Sequence, residues 1–310
     1  MPLAALRNGL LGTVLGSREA VDLLLTSLLA NGHALVTGTP GIGKTTLAQT
    51  LATLLSGSYR RIQFTPDLLP SDILGYQLYR PQNGDFEFVA GPIFANFVLA
   101  DEINRASPRT QSSLLEAMNE QQVTIDGSTR KLTDPFLVIA TQNDTFSTGT
   151  FPLPEPQLDR FLLSIPMSLP DDQTQLEILR FHAGKKFSQA SKPVISLDQL
   201  IQLQTKTSKI SISETLQRYL LALCQTTRSI IGQDHAVSTR ATLALQKAAQ
   251  AAALLDNQES IHPDHVQKIF PHVLRHRLLT EDAPDRDHLL QAVLEPVSYT
   301  HLTLPTTNSV

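Results

Sequence analysis

The chain has 310 residues, of which 41% are hydrophobic and 17% charged, with a net charge of -4 and a single cysteine. That is the make-up of a soluble globular protein with room for two domains, and its acidic balance argues against nucleic acid as the main partner. Cys224 alone excludes an internal disulfide and fits a reducing, cytoplasmic setting; the N-terminus shows no basic-then-apolar signal pattern, so no leader is expected, and the apolar run Val21 to Ala30 is far too short to cross a bilayer.

Taken in order, the first predicted element is a helix over Ser17 to Leu29, with Ser17 as its cap and Asn31-Gly32 as its stop. A short apolar strand, Ala34 to Val36, follows. A Gly-rich turn then leads into a helix over Thr46 to Leu55. Tyr59 to Phe64 alternates like a strand. Tyr76 to Tyr79 and Phe86 to Val89 flank a polar turn and predict a hairpin insertion. Phe97 to Ala100 is a continuous apolar run, as expected of a strand covered on both faces. Ser107-Pro108 opens a helix to about Glu120. Val123 to Ile125 and Arg130 to Leu132 bracket Asp126-Gly127, a second hairpin signal. Phe136 to Ala140 and Phe161 to Ile165 are two more strands. Buried strands alternating with helices predict an α/β fold with a parallel sheet. After Pro170 the pattern is helical: Asp172 to Phe181, Leu197 to Thr205, Ser213 to Thr227, Thr239 to Leu255 and His262 to Leu279. The expected division is therefore 1-169, an α/β domain with two hairpins, and 170-296, a smaller all-α domain.

Gly38-Thr39-Pro40-Gly41-Ile42-Gly43-Lys44-Thr45 fits G-x-x-x-x-G-K-[ST], between a strand and a helix as that motif requires. Its glycines let backbone amides close around a polyphosphate, and the helix that opens at Lys44-Thr45-Thr46 adds its dipole. Lys44 is expected on the β- and γ-phosphates of ATP, and the Thr45 hydroxyl on Mg²⁺. The strand ending in Asp101-Glu102 supplies the carboxylates hydrolysis needs: Asp101 for the metal, Glu102 for the attacking water. Asn143, past the Phe136 strand, is either an amide for the γ-phosphate or a turn-forming residue.

Leu99-Ala100-Asp101-Glu102-Ile103-Asn104-Arg105-Ala106, with Thr110 to Met118, resembles the signature of the MoxR family of AAA+ ATPases. So do Gly91-Pro92-Ile93-Phe94, Ala140-Thr141-Gln142-Asn143, Phe151 to Glu155 with Gln157 to Phe161, Ser238-Thr239-Arg240-Ala241 and His276-Arg277-Leu278. The resemblance covers about residues 10 to 296. It implies a P-loop NTPase αβα core with a helical lid, assembled as a homo-oligomeric, hexameric ring. It makes Asn143 the sensor-1 residue, Arg160 an arginine finger reaching a neighbouring subunit's ATP, and Arg240 the sensor-2 residue of the same chain. It implies a chaperone-like activity on a von Willebrand factor A domain partner, and hairpins facing a central pore. The chain departs from the family where Asp144 follows Asn143 in place of proline and Ser17 follows Gly16 in place of glutamine. Related rings offer two other readings, a nucleic-acid motor and a chelatase-like motor subunit for metal insertion.

His262, His265, His272 and His276 are spaced too loosely for zinc and are expected at the surface or at helix ends. Arg60-Arg61 and Lys185-Lys186 are expected to be solvated basic pairs. Cys224 is expected in the core, as are Leu216, Leu220, Leu223, Leu243, Leu254 and Leu255. From about Val297 to Thr306 the sequence resembles a translated transposase sequencing adapter, so residues 297-310 are expected not to be native.

Overall fold

The computed structural model describes residues 2–82, 84–142, 149–184, 193–231, 237–278 and 286–294. Five parallel strands form the central sheet: β1 (Ala34–Thr37), β2 (Tyr59–Gln63), β5 (Phe97–Asp101), β8 (Leu137–Gln142) and β9 (Leu163–Pro166). Their spatial order is β2-β5-β8-β1-β9. β1 therefore lies between β8 and β9, where the order of the strands turns back in sequence. In an open parallel sheet the crevice at such a switch point, beyond the carboxyl ends of the strands, is where ligands bind.

Alternation along the strands splits the core into two layers. Val98, Ala100, Val138 and Ala140 face one layer, with Ile62, Leu114, Leu115 and Phe161. Phe97, Leu99, Leu137, Ile139, Ala34 and Val36 face the other, which continues without a break into Tyr219, Leu223, Leu245 and Phe270. The C-terminal helices thus share a hydrophobic core with one face of the sheet. Burial on both faces is what made these strands read as unbroken apolar runs.

Helices α1 (Pro2–Leu11), α2 (Arg18–Leu29) and α3 (Lys44–Leu54) cover that second face. On the other side, the short helix α4 (Pro70–Leu74) leads into the hairpin β3 (Gly75–Arg80) and β4 (Asp85–Ala90). Helix α5 (Pro108–Glu120) follows, capped as expected by Ser107, whose hydroxyl accepts from the Thr110 N–H at 3.4 Å. The second hairpin, β6 (Gln122–Ile125) and β7 (Ser128–Lys131), turns through Asp126 and Gly127, both at positive φ. That is the pair of conformations a tight two-residue hairpin turn requires. The one-turn helix α6 (Glu155–Leu158) precedes β9.

The helical part comprises α7 (Asp172–Gly184), α8 (Leu197–Ser208), α9 (Glu214–Ile231), α10 (Thr239–Leu255) and α11 (Pro263–Leu274), with a further helix over 286–294. Cys224 is buried, as expected. Three readings need correction. Ser17 makes no side-chain cap for α2. Leu243 is 55% exposed, because α10 packs through its alanines, Ala241, Ala244, Ala248 and Ala252, and Leu243 falls off that stripe. Helix α11, with Pro271 inside it, ends at Leu274 before a 3-10 turn, Arg275–Arg277, short of the expected Leu279. His265, His272 and His276 stand at the ends of α11 or in the turn after it, as expected, but are buried there. Among the described residues no His, Cys, Asp and Glu cluster could hold a metal ion. Asn143, Lys185, Lys186 and the tail from Val297 lie outside the described residues.

Candidate nucleotide site

The switch point gathers three strand ends. β1 runs into the loop Gly38 to Gly43, whose three glycines all sit at positive φ. At Gly38 the left-handed conformation is reinforced by packing, since a Cβ there would collide with the carbonyl oxygen of Met167 at the end of β9. At Gly41 and Gly43 a Cβ would meet nothing within 4 Å, so these two glycines are required by backbone conformation alone and border open space. Gly43 also stands at the start of α3. Successive amides and a helix N-terminus then converge on one point, an arrangement that attracts anions.

Lys44 is buried, and its ammonium donates to Gly38 O at 2.6 Å and Gln142 O at 3.2 Å. It thereby ties the loop to the end of β8. A cavity of about 400 Å³ opens against the loop, lined by Val14, Leu15, Gly41, Thr46, Pro170 and Ile178 among others. The wall is largely apolar and includes residues from the start of the chain and from α7, which suits the flat face of a base.

The end of β5 brings the carboxylates to the same edge. Asp101 is buried; its Oδ1 accepts from the Thr141 hydroxyl at 2.6 Å, and its Oδ2 lies 3.4 Å from the Thr45 hydroxyl. Thr45 and Asp101 thus form a pair of hard oxygen donors, the type Mg²⁺ takes beside nucleotide phosphates. Glu102 adopts a left-handed conformation, φ 55°, unusual for a glutamate. Its N–H is held by the Thr141 hydroxyl at 2.9 Å, and its carboxylate accepts from Arg105 at 2.8 Å and Gln63 at 3.2 Å. Such a backbone is found where a side chain is being aimed.

The two arginines singled out in the sequence are engaged elsewhere. Arg160 donates through Nη1 to Leu115 O on α5 at 2.6 Å, and its buried Nε has no hydrogen-bond partner. Arg240 is 3.7 Å from Asp159 and about half-exposed. Neither contact involves the phosphate loop. Sequence reasoning gave no role to Asp159 and Arg277, which the structure joins in an ion pair with Arg277 buried, and it expected Arg61 to be solvated, whereas Arg61 reaches Asp101 from β2. A short basic pair in a strand carries no motif, so only the register of β2 on β5 could have pointed to Arg61.

Residues 33–163 match the ATPase family associated with various cellular activities (AAA), and residues 225–297 the AAA lid domain. A protein called chaperone MoxR1 from Mycobacterium tuberculosis is 38% identical over 307 residues, covering 96% of this chain and 81% of that one. The protein MoxR of Paracoccus denitrificans is 32% identical, covering 92% and 91%. The crystal structure of a candidate ATPase from Cytophaga hutchinsonii superposes with a TM-score of 0.82 at 35% identity, covering 95% of this chain and 96% of that one.

Proposed function

Since the chain belongs to the MoxR family of AAA+ ATPases, we propose that it hydrolyses ATP with Mg²⁺ at this site and uses the cycle to remodel or assemble a partner protein. The observation that carries the reading is the meeting of the Gly38 to Thr45 loop, after β1, with Asp101 and Glu102, at the end of β5, across the intervening β8. In this reading the amides of Gly38, Thr39, Gly41, Ile42 and Gly43 bind the β- and γ-phosphates, with Pro40 shaping the turn. Lys44 turns from its carbonyl partners to those oxygens. The base lies in the apolar cavity beside Thr46 and α7. Thr45 and Asp101 would hold Mg²⁺, which would neutralise charge between the β- and γ-phosphates. Glu102 orients a water and takes its proton as the oxygen attacks the γ-phosphorus and the bond to ADP breaks.

Asn143 and Arg240 fit the roles of γ-phosphate sensors on the same chain, and Arg160 that of a finger for a neighbour's ATP in a hexameric ring. A guanidinium suits both places, being permanently charged and able to grip two phosphate oxygens. In this reading the division falls at 169/170 and residues 170-296 form the moving lid. Two features support a protein partner. The first hairpin exposes Tyr76, Tyr79 and Phe86. In the second, Arg130 lies over the Phe88 ring at 4.0 Å, so part of its small positive charge is spent within the chain. The partner is a von Willebrand factor A domain protein in this reading, and the setting is the cytoplasm. Among the described residues no helix is long and apolar enough to cross a membrane.

The test is ATP turnover with Mg²⁺ by the wild type, Lys44→Ala and Glu102→Gln. Turnover lost in both, with ATP binding kept only in Glu102→Gln, is the expected result. A fully active Glu102→Gln contradicts the assignment.

A further inference from the structure

Arg61 stands in β2, whose register on β5 pairs Gln63 with Asp101. Residues 61 and 63 share one face of the strand, and Arg61 reaches along it to the catalytic edge. Its Nε and Nη2 both donate to Asp101 Oδ2, at 3.1 and 2.7 Å. The other carboxylate oxygen, Oδ1, is taken by Thr141. Arg61 therefore occupies the oxygen that also faces the Thr45 hydroxyl, the second candidate metal ligand.

We propose that Arg61 is a built-in counter-cation of Asp101, displaced from Oδ2 when a divalent cation binds, and that it thereby sets the Mg²⁺ concentration the site requires. The inference rests on the nucleotide-site reading above and deepens it. A guanidinium and a metal ion cannot both approach one carboxylate oxygen without strong repulsion. The pair is also built asymmetrically. The Asp101 side chain is 10% exposed and fixed by Thr141, whereas the Arg61 side chain is 49% exposed. The arginine, already half-exposed, can swing outward into water; the aspartate, held by Thr141, cannot. Gln63 offers it a second holding point, since Arg61 Nη2 also donates to Gln63 Oε1 at 2.6 Å. A permanent strut between β2 and β5 would call for the opposite: removing it would loosen Asp101 and weaken the metal site.

The experiment is calorimetric titration of ADP into the full chain over a series of Mg²⁺ concentrations. It compares wild type, Arg61→Gln, Arg61→Lys and Arg60→Gln. Arg60 is exposed and, among the described residues, donates to the Tyr59 carbonyl alone, so it controls for net charge. The half-saturating Mg²⁺ is expected to fall about three- to tenfold in Arg61→Gln, the size of a partly exposed, charge-assisted pair. Arg61→Lys, which makes a single bond, is expected to fall about twofold, and Arg60→Gln to match wild type. An unchanged or raised requirement in Arg61→Gln, with wild type binding normally, overturns this inference alone. If Arg61→Gln does not fold, the same outcome in Arg61→Lys overturns it. A wild type that binds no ADP at any Mg²⁺ concentration overturns the nucleotide-site reading and this inference together.

Discussion

Asp159 holds two arginines of the C-terminal helical part at once: Arg277 Nε donates to its Oδ1 at 2.7 Å, and Arg240 Nη1 lies 3.7 Å from its Oδ2. The Ser238 hydroxyl, which caps α10, donates to the same Oδ2 at 3.0 Å. One carboxylate, next in sequence to Arg160, thus fastens the start of α10 and the end of α11 to the segment before β9.

Arg277 is only 3% exposed and also donates to the carbonyls of Phe161, at 2.7 Å, and Val273. Burial pushes its guanidinium pKa down, and the Asp159 hydrogen bond opposes that shift. Asp159→Ala strands a buried charge and is expected to cost about 3 kcal/mol. Denaturant unfolding measures it. Asp159→Ala/Arg277→Met, which removes both charges, is expected to recover most of the loss; a double variant no better than the single contradicts the pairing.

Acid should weaken the fold through histidine. His33 is buried with Nδ1 accepting from the Val138 N–H at 3.0 Å, so Nε2 carries the proton toward Met118 O at 3.2 Å. Burial pulls its pKa from 6.5 to about 4. The unfolded chain therefore binds the extra proton first, and stability present above pH 6.5 is lost as pH falls toward 4, about 3 kcal/mol for this group. His276, buried and held by Phe161 O at 3.0 Å, shifts the same way. Thermal melting at pH 7 and pH 4.5 is expected to show the drop, and His33→Gln to shrink it without abolishing it. An equal drop in the variant contradicts the assignment.

The phosphate-loop glycines should separate by mechanism. Gly43→Ala meets no atom and pays only for its left-handed backbone, about 1 to 2 kcal/mol. Gly38→Ala must also move the Met167 carbonyl, and with it the contact between β1 and β9. Melting temperature is expected to fall in both and further in Gly38→Ala; equal losses contradict the packing role of Gly38.

Much of this was legible in the residues. The buried strands announced themselves because a sheet covered on both faces needs unbroken apolar runs, and Asp126-Gly127 because a tight hairpin needs two positive-φ residues. The loop and the Asp101-Glu102 pair were readable because phosphate chemistry constrains spacing along the chain. Asp159 with Arg277, 118 residues apart, and Arg61 with Asp101, 40 apart, were not: their partners are chosen by tertiary packing, which leaves no local period. Leu243 misled because apolar type was taken for direction on a helix that packs through alanine.

The proposed ATPase has sites completed between copies of the chain. The most direct test is ATP turnover against protein concentration for wild type, Glu102→Gln, Arg160→Ala and an equal mixture of the two variants, on a chain ending at Glu295. Specific activity that rises with concentration, two inactive variants, and partial recovery on mixing are expected, since a mixed ring holds some sites with an intact Glu102 and a neighbour's intact Arg160. Activity independent of concentration, together with an unimpaired Arg160→Ala, contradicts that arrangement.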